Sequence, residues 1–551
     1  MGVLISSNGT GRHRLRLQPL IASLACGIGL LLSLWIPFST SLKGVVVETN
    51  PIFWAFLSLC MGLAFTLRKK DVFCSLLLVF FIGLCLRLIP VVHSYYPEFD
   101  PWNELASIHH IENSGFNLRG NYYHSDLPVL QLLLLTFIPV FGEYNTLAYL
   151  GPVLGWVLAF ICLYKLGREF FDVEKVWLLM LIYSCANIGF QFFTAPETIA
   201  LSFGFASVFF FHRNLVKSSV KYSLATLVMF TLLVFTHHLT AFCVVVATGA
   251  IIVVLILRKA KITNAFLWLG LLSIFLAYYE LYQGLLSSML VIRVTQVAIG
   301  IPTGWPKPLW WWVLYFLPMV LLALMLTTWI VPPLIRKKIT RPIEVLALVI
   351  AGGVSLVFGF FFPSGLPPLR IFNQFGAHFF NGALNTRLAR IFSILLACSL
   401  LLGIVTAFPM TNGTDYYVGG YWINHSPEEI QAIEYFVNNA SANSRIIADG
   451  RIRPVLNGLA PENKNLSAST LPQIIEVYET NSTQQAWDFC VRYGFTYVFV
   501  SSFYKVIAQF DVYGGAARFS DAQLSKFEPP YFSLWYNNSQ VSIYSVNTIQ
   551  R

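Results

Sequence analysis

Residues 95–116 read YYPEFDPWNELASIHHIENSGF and separate two apolar runs. Six ionisable side chains fall within this stretch: Glu98, Asp100, Glu104, His109, His110 and Glu112. Such groups are costly at depth in a bilayer, so in a membrane chain they gather at a mouth or around a water-filled cavity. We interpret the stretch as the floor of a candidate catalytic site on the non-cytoplasmic face.

The composition is typical of a membrane protein. Of the 551 residues, 56% are hydrophobic and 11% are charged, whereas a soluble protein carries roughly 25% charged residues. Apolar runs of about 20 residues, the length that spans a bilayer as a helix, recur along the first 410 positions. The sequence therefore predicts a polytopic α-helical membrane protein, with the lipid bilayer as one of its partners.

Charge is divided unevenly along the chain. Residues 1–410 carry 27 basic and 14 acidic side chains, and residues 411–551 carry 9 and 12. The basic excess lies in short loops between apolar runs, which is the positive-inside pattern of membrane proteins and requires no nucleic-acid partner. We expect a multi-pass protein of the cell membrane whose outer loop 93–146 and C-terminal tail both lie outside the cytoplasm.

The alternation of basic loops and apolar runs predicts about 13 transmembrane helices. They are expected at about 17–37, 52–67, 72–92, 147–164, 176–193, 198–212, 222–237, 240–257, 263–281, 309–330, 342–361, 370–386 and 391–409. The outer loop also contains a short apolar segment, 127–141, which we interpret as a re-entrant or interfacial helix. Residues 1–410 thus form the predicted membrane domain that carries the candidate site.

The tail, residues 411–551, has a different character. Six N-x-S/T sequons begin at Asn412, Asn424, Asn439, Asn465, Asn481 and Asn537, as fits an extracytoplasmic domain. The sequence SPEE at 426–429 is a capping box with Pro at the first helical position. Strand patterns follow at 445–448, 496–501 and 541–546, so we expect a small α/β domain.

Carboxylates are the leading catalytic candidates. Asp100 is followed by Pro101 and Trp102, which would fix the local backbone and anchor it at the membrane interface. Glu197 lies in FFTAPETIALSF, a predicted outer turn, where an acid either reaches the headgroups or faces a polar cavity. A carboxylate at a membrane mouth can accept a proton or bind a divalent metal; a solvated loop acid is the alternative. Glu104 is a weaker candidate, because so polar a loop has acids to spare.

Basic residues near the outer face are candidates for substrate binding. Arg370, in LPPLRIF, begins a predicted polar helix, where a guanidinium would bind phosphate with paired donors; Arg293 in the second outer loop is the alternative. His237 and His238 end a predicted helix in FTHHLTAF, and only one of them would face a cavity, since neighbouring helical residues point about 100° apart. A snorkelling arginine and an interfacial histidine pair are the structural alternatives.

The sequence EFDPWNELASIHHIENSGF, residues 98–116, resembles the first outer loop of the catalytic subunit of oligosaccharyltransferase, and more broadly the GT-C superfamily of membrane glycosyltransferases. Asp100 matches the first acidic motif of that family, and Glu197 matches the second in position. The chain departs from the pattern in three ways. Its second motif has one acid instead of a pair, the peptide-binding motif WWDYG is absent, and VTQVAIG in the late outer loop lacks the expected Glu.

The resemblance implies a GT-C glycosyltransferase that moves a sugar from a polyprenyl-phosphate-linked donor to an extracytoplasmic glycan, lipid or protein. The donor phosphate would lie near Arg370 or Arg293, and His237, His238 and Trp102 would contribute to substrate binding. Asp100 would be the general base, with Glu104 and Glu197 as further catalytic carboxylates. Alternatively, Asp100 and Glu197 would bind a divalent metal cofactor, Mg²⁺ or Mn²⁺.

Three other functions remain open at the level of sequence. An oligosaccharyltransferase would move a whole lipid-linked glycan to Asn, and the missing WWDYG motif weighs against it. A transporter or channel would carry acids and Gly/Pro breaks near the bilayer centre, whereas here the acids lie at outer turns. A non-catalytic scaffold would merely present the tail.

Overall fold

A computed structural model describes residues 17–36, 50–92, 99–114, 128–185, 196–257, 264–282, 425–468, 475–505, 508–509, 516–517 and 519–548. The membrane part of these residues contains twelve helices. They are α1 Leu17–Ser33, α2 Pro51–Leu67, α3 Val72–Val92, α4 Phe99–Ser114, α5 Pro128–Phe141, α6 Glu143–Tyr149, α7 Trp156–Phe170, α8 Val173–Cys185, α9 Pro196–Lys217, α10 Val220–Val234, α11 His238–Leu257 and α12 Ala265–Leu276. One π-helical segment, Leu150–Gly155, joins α6 to α7, and another, Ala277–Tyr282, follows α12.

A helix occurs at each of the nine predicted crossings that fall within the described residues. Three helical segments are long and apolar enough to cross a bilayer by length and composition alone: Val72–Ile89, Glu143–Phe170 and Pro196–Lys217. The other apolar helices are shorter, at 10–17 residues. The predicted crossings at 309–330, 342–361, 370–386 and 391–409 lie outside the described residues, so the total of 13 stays a prediction.

One helix boundary differs from the sequence-based expectation for an identifiable reason. The fourth crossing begins at Glu143 instead of 147, because α6 and α7 run on through the π-helical segment that contains Pro152. A proline removes one backbone donor and clashes with the preceding turn, and a π-helical widening accommodates both effects without ending the helix. Within the outer loop, residues 99–114 form a regular helix.

Polar contacts join the short turns at one end of the bundle. Arg213 Nη2 lies 2.5 Å from Glu169 Oε1, which ties the α9–α10 turn to the α7–α8 turn. Asn214 Nδ2 donates to Asn264 Oδ1 at 2.8 Å, which adds the start of α12. Arg68 lies over the ring of Trp177 at 5.8 Å, which adds the α2–α3 turn. Two basic residues of the predicted inner side, Arg68 and Arg213, therefore lie at the same end of the bundle.

The C-terminal part forms a small α/β domain, which we call the tail domain. Its helices are α13 Pro427–Asn439, α14 Ile452–Leu459, α15 Ile475–Glu479, α16 Thr483–Tyr493 and α17 Asp521–Ser525. Its strands are β1 Arg445–Ile447, β2 Ser467–Ala468, β3 Tyr497–Ser501, β4 Ala508–Gln509, β5 Ala516–Ala517, β6 Phe532–Asn537 and β7 Val541–Val546. Five of the strands form one mixed sheet in the order β2-β1-β3-β7-β6, in which β1 runs parallel to β2 and β3, and β7 antiparallel to β3 and β6.

The predicted capping box and the three predicted strands of the tail domain are confirmed. Ser426 accepts a hydrogen bond from the Glu429 backbone, and the Glu429 side chain accepts one from the Ser426 backbone. Strand β6 was not predicted, and its register against β7 shifts between Leu534 and Tyr536. Such a bulge interrupts the alternation of inward and outward side chains by which strands are found in a sequence.

A buried cluster of charges holds α13 to α14 within the tail domain. Arg451 Nε donates to Asp449 Oδ2 at 2.6 Å, and Arg451 Nη2 donates to Glu429 Oε1 at 3.1 Å. All three side chains are buried. Burial opposes ionisation of Glu429, yet the field of Arg451 and hydrogen bonds outweigh it and lower the pKa of the carboxyl. Burial and the positive charge of Arg451 lower the pKa of His425 to about 3, so this imidazole is neutral at physiological pH.

We predict that Glu429→Gln destabilises the tail domain by about 3–5 kcal/mol, because removal of one partner leaves a buried charge without compensation. The measurement is native-state hydrogen exchange of β3 and β7 in the full-length chain. Glu428→Gln is the matched control, since it removes the same charge one residue away at a partly exposed position. Equal protection of the sheet in the two variants would contradict the structural role of the cluster.

Candidate active site

Helix α4 carries the acidic motif, and it is docked on the tail domain. The side chain of Trp102 is fully buried. It lies against Gly458 in α14, where an added Cβ would come within 2.9 Å of the Trp102 carbonyl oxygen and 3.1 Å of its ring. Trp102, Leu105 and Ile108 share one hydrophobic cluster with the core of the tail domain. Trp102 therefore has a packing role in this structure, and its predicted contact with substrate remains a prediction.

The helix is covered on two sides. At about 100° per residue, positions 102, 109 and 113 lie on the side that meets the tail domain, and positions 100, 104 and 107 lie on the opposite side. Glu104 and Ser107 on that opposite side are also buried. Glu104 is therefore a buried side chain of a regular helix that is packed on both sides. Its catalytic role remains a prediction, as does that of Asp100.

Helix α6 connects α4 to the tail domain through two polar contacts. His109 Nε2 on α4 lies 3.3 Å from Glu143 Oε1 at the start of α6. The next residue, Tyr144, donates its hydroxyl hydrogen to Glu434 of α13. The ring of Tyr144 also makes an edge-to-face contact with Trp102 at 5.7 Å. The three elements thus meet at a single junction.

The electrostatic environment of His109 favours its charged form. The hydrogen bond to Glu143 is the main cause that raises the pKa of the imidazole; partial burial acts in the opposite direction, and the charges of Glu143 and Glu112 and a hydrogen bond to the backbone of Gly458 add to the increase. A protonated imidazole has two donors, so it can bridge α6 and the tail domain. Beside it, a pocket of about 360 Å³ is lined by His109, Asn113, Val437, Asn438, Leu459, Pro461 and Lys464.

Glu197 lies in the first turn of α9 and is buried. The position of this turn depends on Gly155 at the end of the first π-helical segment, where a Cβ would lie 2.8 Å from the carbonyl oxygen of Thr198. Ile199 in the same turn belongs to the hydrophobic cluster that contains Trp102. The structure therefore brings the second acidic segment to the junction of α4 with the tail domain.

His237 and His238 lie at the turn between α10 and α11, as the sequence predicts. Nδ1 of His237 lies 2.8 Å from Thr240 Oγ1, and the two histidine rings are 5.1 Å apart. His237 is buried, whereas His238 is partly exposed. The turn is tied to α5 by a hydrogen bond from the Val129 backbone to the Phe235 carbonyl at 3.3 Å.

Two predicted phosphate-binding residues, Arg370 and Arg293, lie outside the described residues, and so does the side chain of Asp100. Among the side chains that are described, no group of three His, Cys, Asp or Glu is arranged to hold a metal ion. The metal pair of Asp100 and Glu197 stays a prediction.

Sequence reasoning missed Arg87. It is a single charge in the apolar run of α3, and its side chain is fully buried. Its guanidinium lies 4.0 Å from the centre of the Trp156 ring and donates to the carbonyls of Gly83 and Ser184 at 2.9 and 3.2 Å. Ser184 is in the last turn of α8, so Arg87 caps the helix that leads toward Glu197. The sequence does contain a pattern that could have identified Arg87, because a lone arginine inside a predicted transmembrane helix is unusual.

Comparison with known proteins assigns the fold. The model of the family described as dolichyl-phosphate-mannose-protein mannosyltransferase matches residues 124–281. Archaeal oligosaccharyltransferase AglB from Archaeoglobus fulgidus, solved with an inhibitory peptide and a dolichol-phosphate, is similar over 79% of this chain and 70% of its own, with a TM-score of 0.53 and 13% identity. The chain has a GT-C-like fold.

A second solved structure gives the same result for this GT-C-like chain. The apo form of the oligosaccharyltransferase of Archaeoglobus fulgidus aligns with 80% of this chain, and the alignment takes in 70% of the archaeal chain. The TM-score is 0.50 and the sequence identity is 13%. No curated protein matches the sequence. At 13% sequence identity, the structural similarity establishes the fold of the chain but not its reaction.

We predict that the imidazole of His109 titrates above its ordinary value of 6.5, and that Glu143→Gln lowers its midpoint. Because the pKa is raised, the contact between protonated His109 and Glu143 is fully formed below about pH 6.5. It is lost as the pH rises through the pKa that His109 has in the folded protein. Diethylpyrocarbonate modifies only the neutral ring, so mass-spectrometric footprinting of His109 against pH measures the midpoint directly. A midpoint that Glu143→Gln leaves unchanged would contradict the contact.

Proposed function

We propose that the chain is a membrane glycosyltransferase that transfers a sugar from a polyprenyl-phosphate-linked donor to an acceptor outside the cytoplasm. The observation that carries the proposal is the helix α4 with Asp100 in its first turn, held at the junction of a GT-C-like membrane domain and its tail domain. The family model that matches residues 124–281 is named for transfer of mannose from dolichyl phosphate to protein, which favours a single-sugar donor.

In this proposal Asp100 is the general base. The carboxylate accepts the proton of an acceptor hydroxyl, the hydroxyl oxygen forms a bond to the anomeric carbon, and the bond from that carbon to the phosphate oxygen breaks. Polyprenyl phosphate leaves, and Arg370 or Arg293 binds its charge with paired donors. The lipid tail of the donor lies among the apolar helices, and His237 and His238 border the acceptor side.

Glu197 has two candidate roles beside Asp100. It orients the acceptor by hydrogen bonding, or it joins Asp100 in holding a divalent cation, Mg²⁺ or Mn²⁺, since carboxylate oxygens are the ligands such ions prefer. The cation would neutralise negative charge on the phosphate. Glu104 supports the site through its buried position on the same side of α4 as Asp100.

The second candidate is an oligosaccharyltransferase that moves a whole glycan to Asn. The likeness to the archaeal enzyme over 79% of the chain favours it. The missing WWDYG motif and the missing acid in VTQVAIG argue against it, because an enzyme of that kind has to recognise a peptide. Transfer of a single sugar is therefore the leading proposal.

We predict that Asp100→Asn lowers transfer by at least ~10²–10⁴-fold, the usual contribution of general base catalysis, while the protein still inserts and folds. Asn preserves the shape of the side chain but cannot accept the proton. The control is Glu112→Gln, which removes one charge from an exposed position of the same helix and is expected to transfer at the wild-type rate.

The measurement is the pattern of lipid-linked and surface glycans in the host with the wild-type gene, without the gene and with each variant. Glycans that lack one sugar support the single-sugar transferase. Unglycosylated protein together with accumulated lipid-linked glycan identifies the oligosaccharyltransferase instead. Unchanged glycans without the gene would contradict both and favour a scaffold.

A further inference from the structure

We propose that Gly458 of the tail domain is a positioning residue for Asp100, and that the tail domain sets the reactive position of helix α4. The inference rests on the proposed function, because it assumes that Asp100 takes part in transfer. It starts from the contact between Gly458 and the backbone of Trp102, two residues along α4 from Asp100.

The contact leaves no room for a side chain. A Cβ on Gly458 would lie 2.9 Å from the Trp102 carbonyl oxygen, whereas ordinary contacts begin at 3.4 Å. To relieve this clash, the Cβ and the carbonyl oxygen have to move about 0.5 Å apart. A carbonyl oxygen within a helix moves only together with its helix. Gly458 lies inside α14 and is not among the glycines with positive φ. The absence of a side chain therefore serves close approach rather than a turn.

A shift of α4 at Trp102 also changes the position of Asp100 in the candidate active site. Positions 100 and 102 both lie in the first turn of α4, about 3 Å apart along the helix axis. A displacement of the helix at Trp102 therefore also displaces Asp100. The opposite side of α4 is also covered, since Glu104 is buried there, and the helix cannot retreat without disturbing that side. A misplacement of about 1 Å at a reacting group can cost ~10²-fold in rate.

The remaining contacts at this junction restrain α4 in its other directions. His109 pairs with Glu143, and Tyr144 bonds Glu434 of α13. Together with Gly458, these contacts link α4 to α6 and α14, and they link α6 to α13. None of them needs to touch a sugar or a lipid, so the proposed role is to hold the helix and not to bind substrate.

The test compares Gly458→Ala with Gly62→Ala in the purified full-length chain. Both glycines are within helices, so both variants gain the same intrinsic helix propensity. They differ in surroundings, because nothing lies within 4 Å of a Cβ added at Gly62. We expect Gly458→Ala to lower kcat by ~10–100-fold with the donor KM within about twofold of wild type, and Gly62→Ala to match wild type.

Hydrogen exchange supplies a readout that does not depend on activity. In Gly458→Ala the peptide covering 99–114 should exchange faster, while strand β3 keeps its protection. If β3 also loses protection, the variant has unfolded the tail domain, and Trp102→Phe, which weakens the same contact without adding an atom, takes its place with the same expected results.

The outcomes separate the two proposals. Faster exchange in α4 with unchanged kcat would overturn the positioning role and leave the proposed function standing. Lower kcat with unchanged exchange in α4 would also overturn it, because the effect would not pass through docking. A wild-type chain that transfers no sugar would overturn the proposed function, whatever the exchange of α4.

Discussion

The packing of Trp102 against Gly458 is the contact on which the arrangement of the site depends. It buries a large aromatic side chain completely, and truncation of such a side chain typically costs about 3–5 kcal/mol. The contact joins a helix from the membrane part of the chain to a helix more than 350 residues later in sequence. Because this hydrophobic cluster also includes Leu147 and Ile199, one packing event fixes α4, α6 and the start of α9 together.

The two ends of the membrane domain differ in the charged residues that they carry. The basic turns meet at one end, where Glu169 neutralises Arg213, while α4 and the tail domain meet at the other. Charges within the apolar part are few, and Arg87 illustrates what they require: carbonyl acceptors and an aromatic face. The proposed chemistry therefore lies at the end where the tail domain packs on α4.

Buried ion pairs join the two helices of the tail domain that meet the membrane domain. The ion cluster of Glu429, Arg451 and Asp449 ties α13 to the loop that begins α14, and these are the helices that contact α6 and α4. Burial of such charges seldom adds stability in itself, but once formed it restricts how the two helices can move. A firmly held α13–α14 pair is what a helix bearing a catalytic carboxylate would need, since rate is sensitive to small displacements.

Sequence alone determined the membrane class, the nine predicted crossings that fall within the described residues, the capping box of α13 and three strands of the sheet, because each follows from local periodicity and short-range hydrogen bonding. It also singled out the segment of Asp100 and the turn of Glu197, since ionisable groups are conspicuous in an apolar chain. Only the tertiary structure decided that Glu104 is buried, that Trp102 packs on Gly458, and that Arg87 caps α8. These depend on contacts between residues far apart in sequence, and no local pattern encodes which glycine will face which ring.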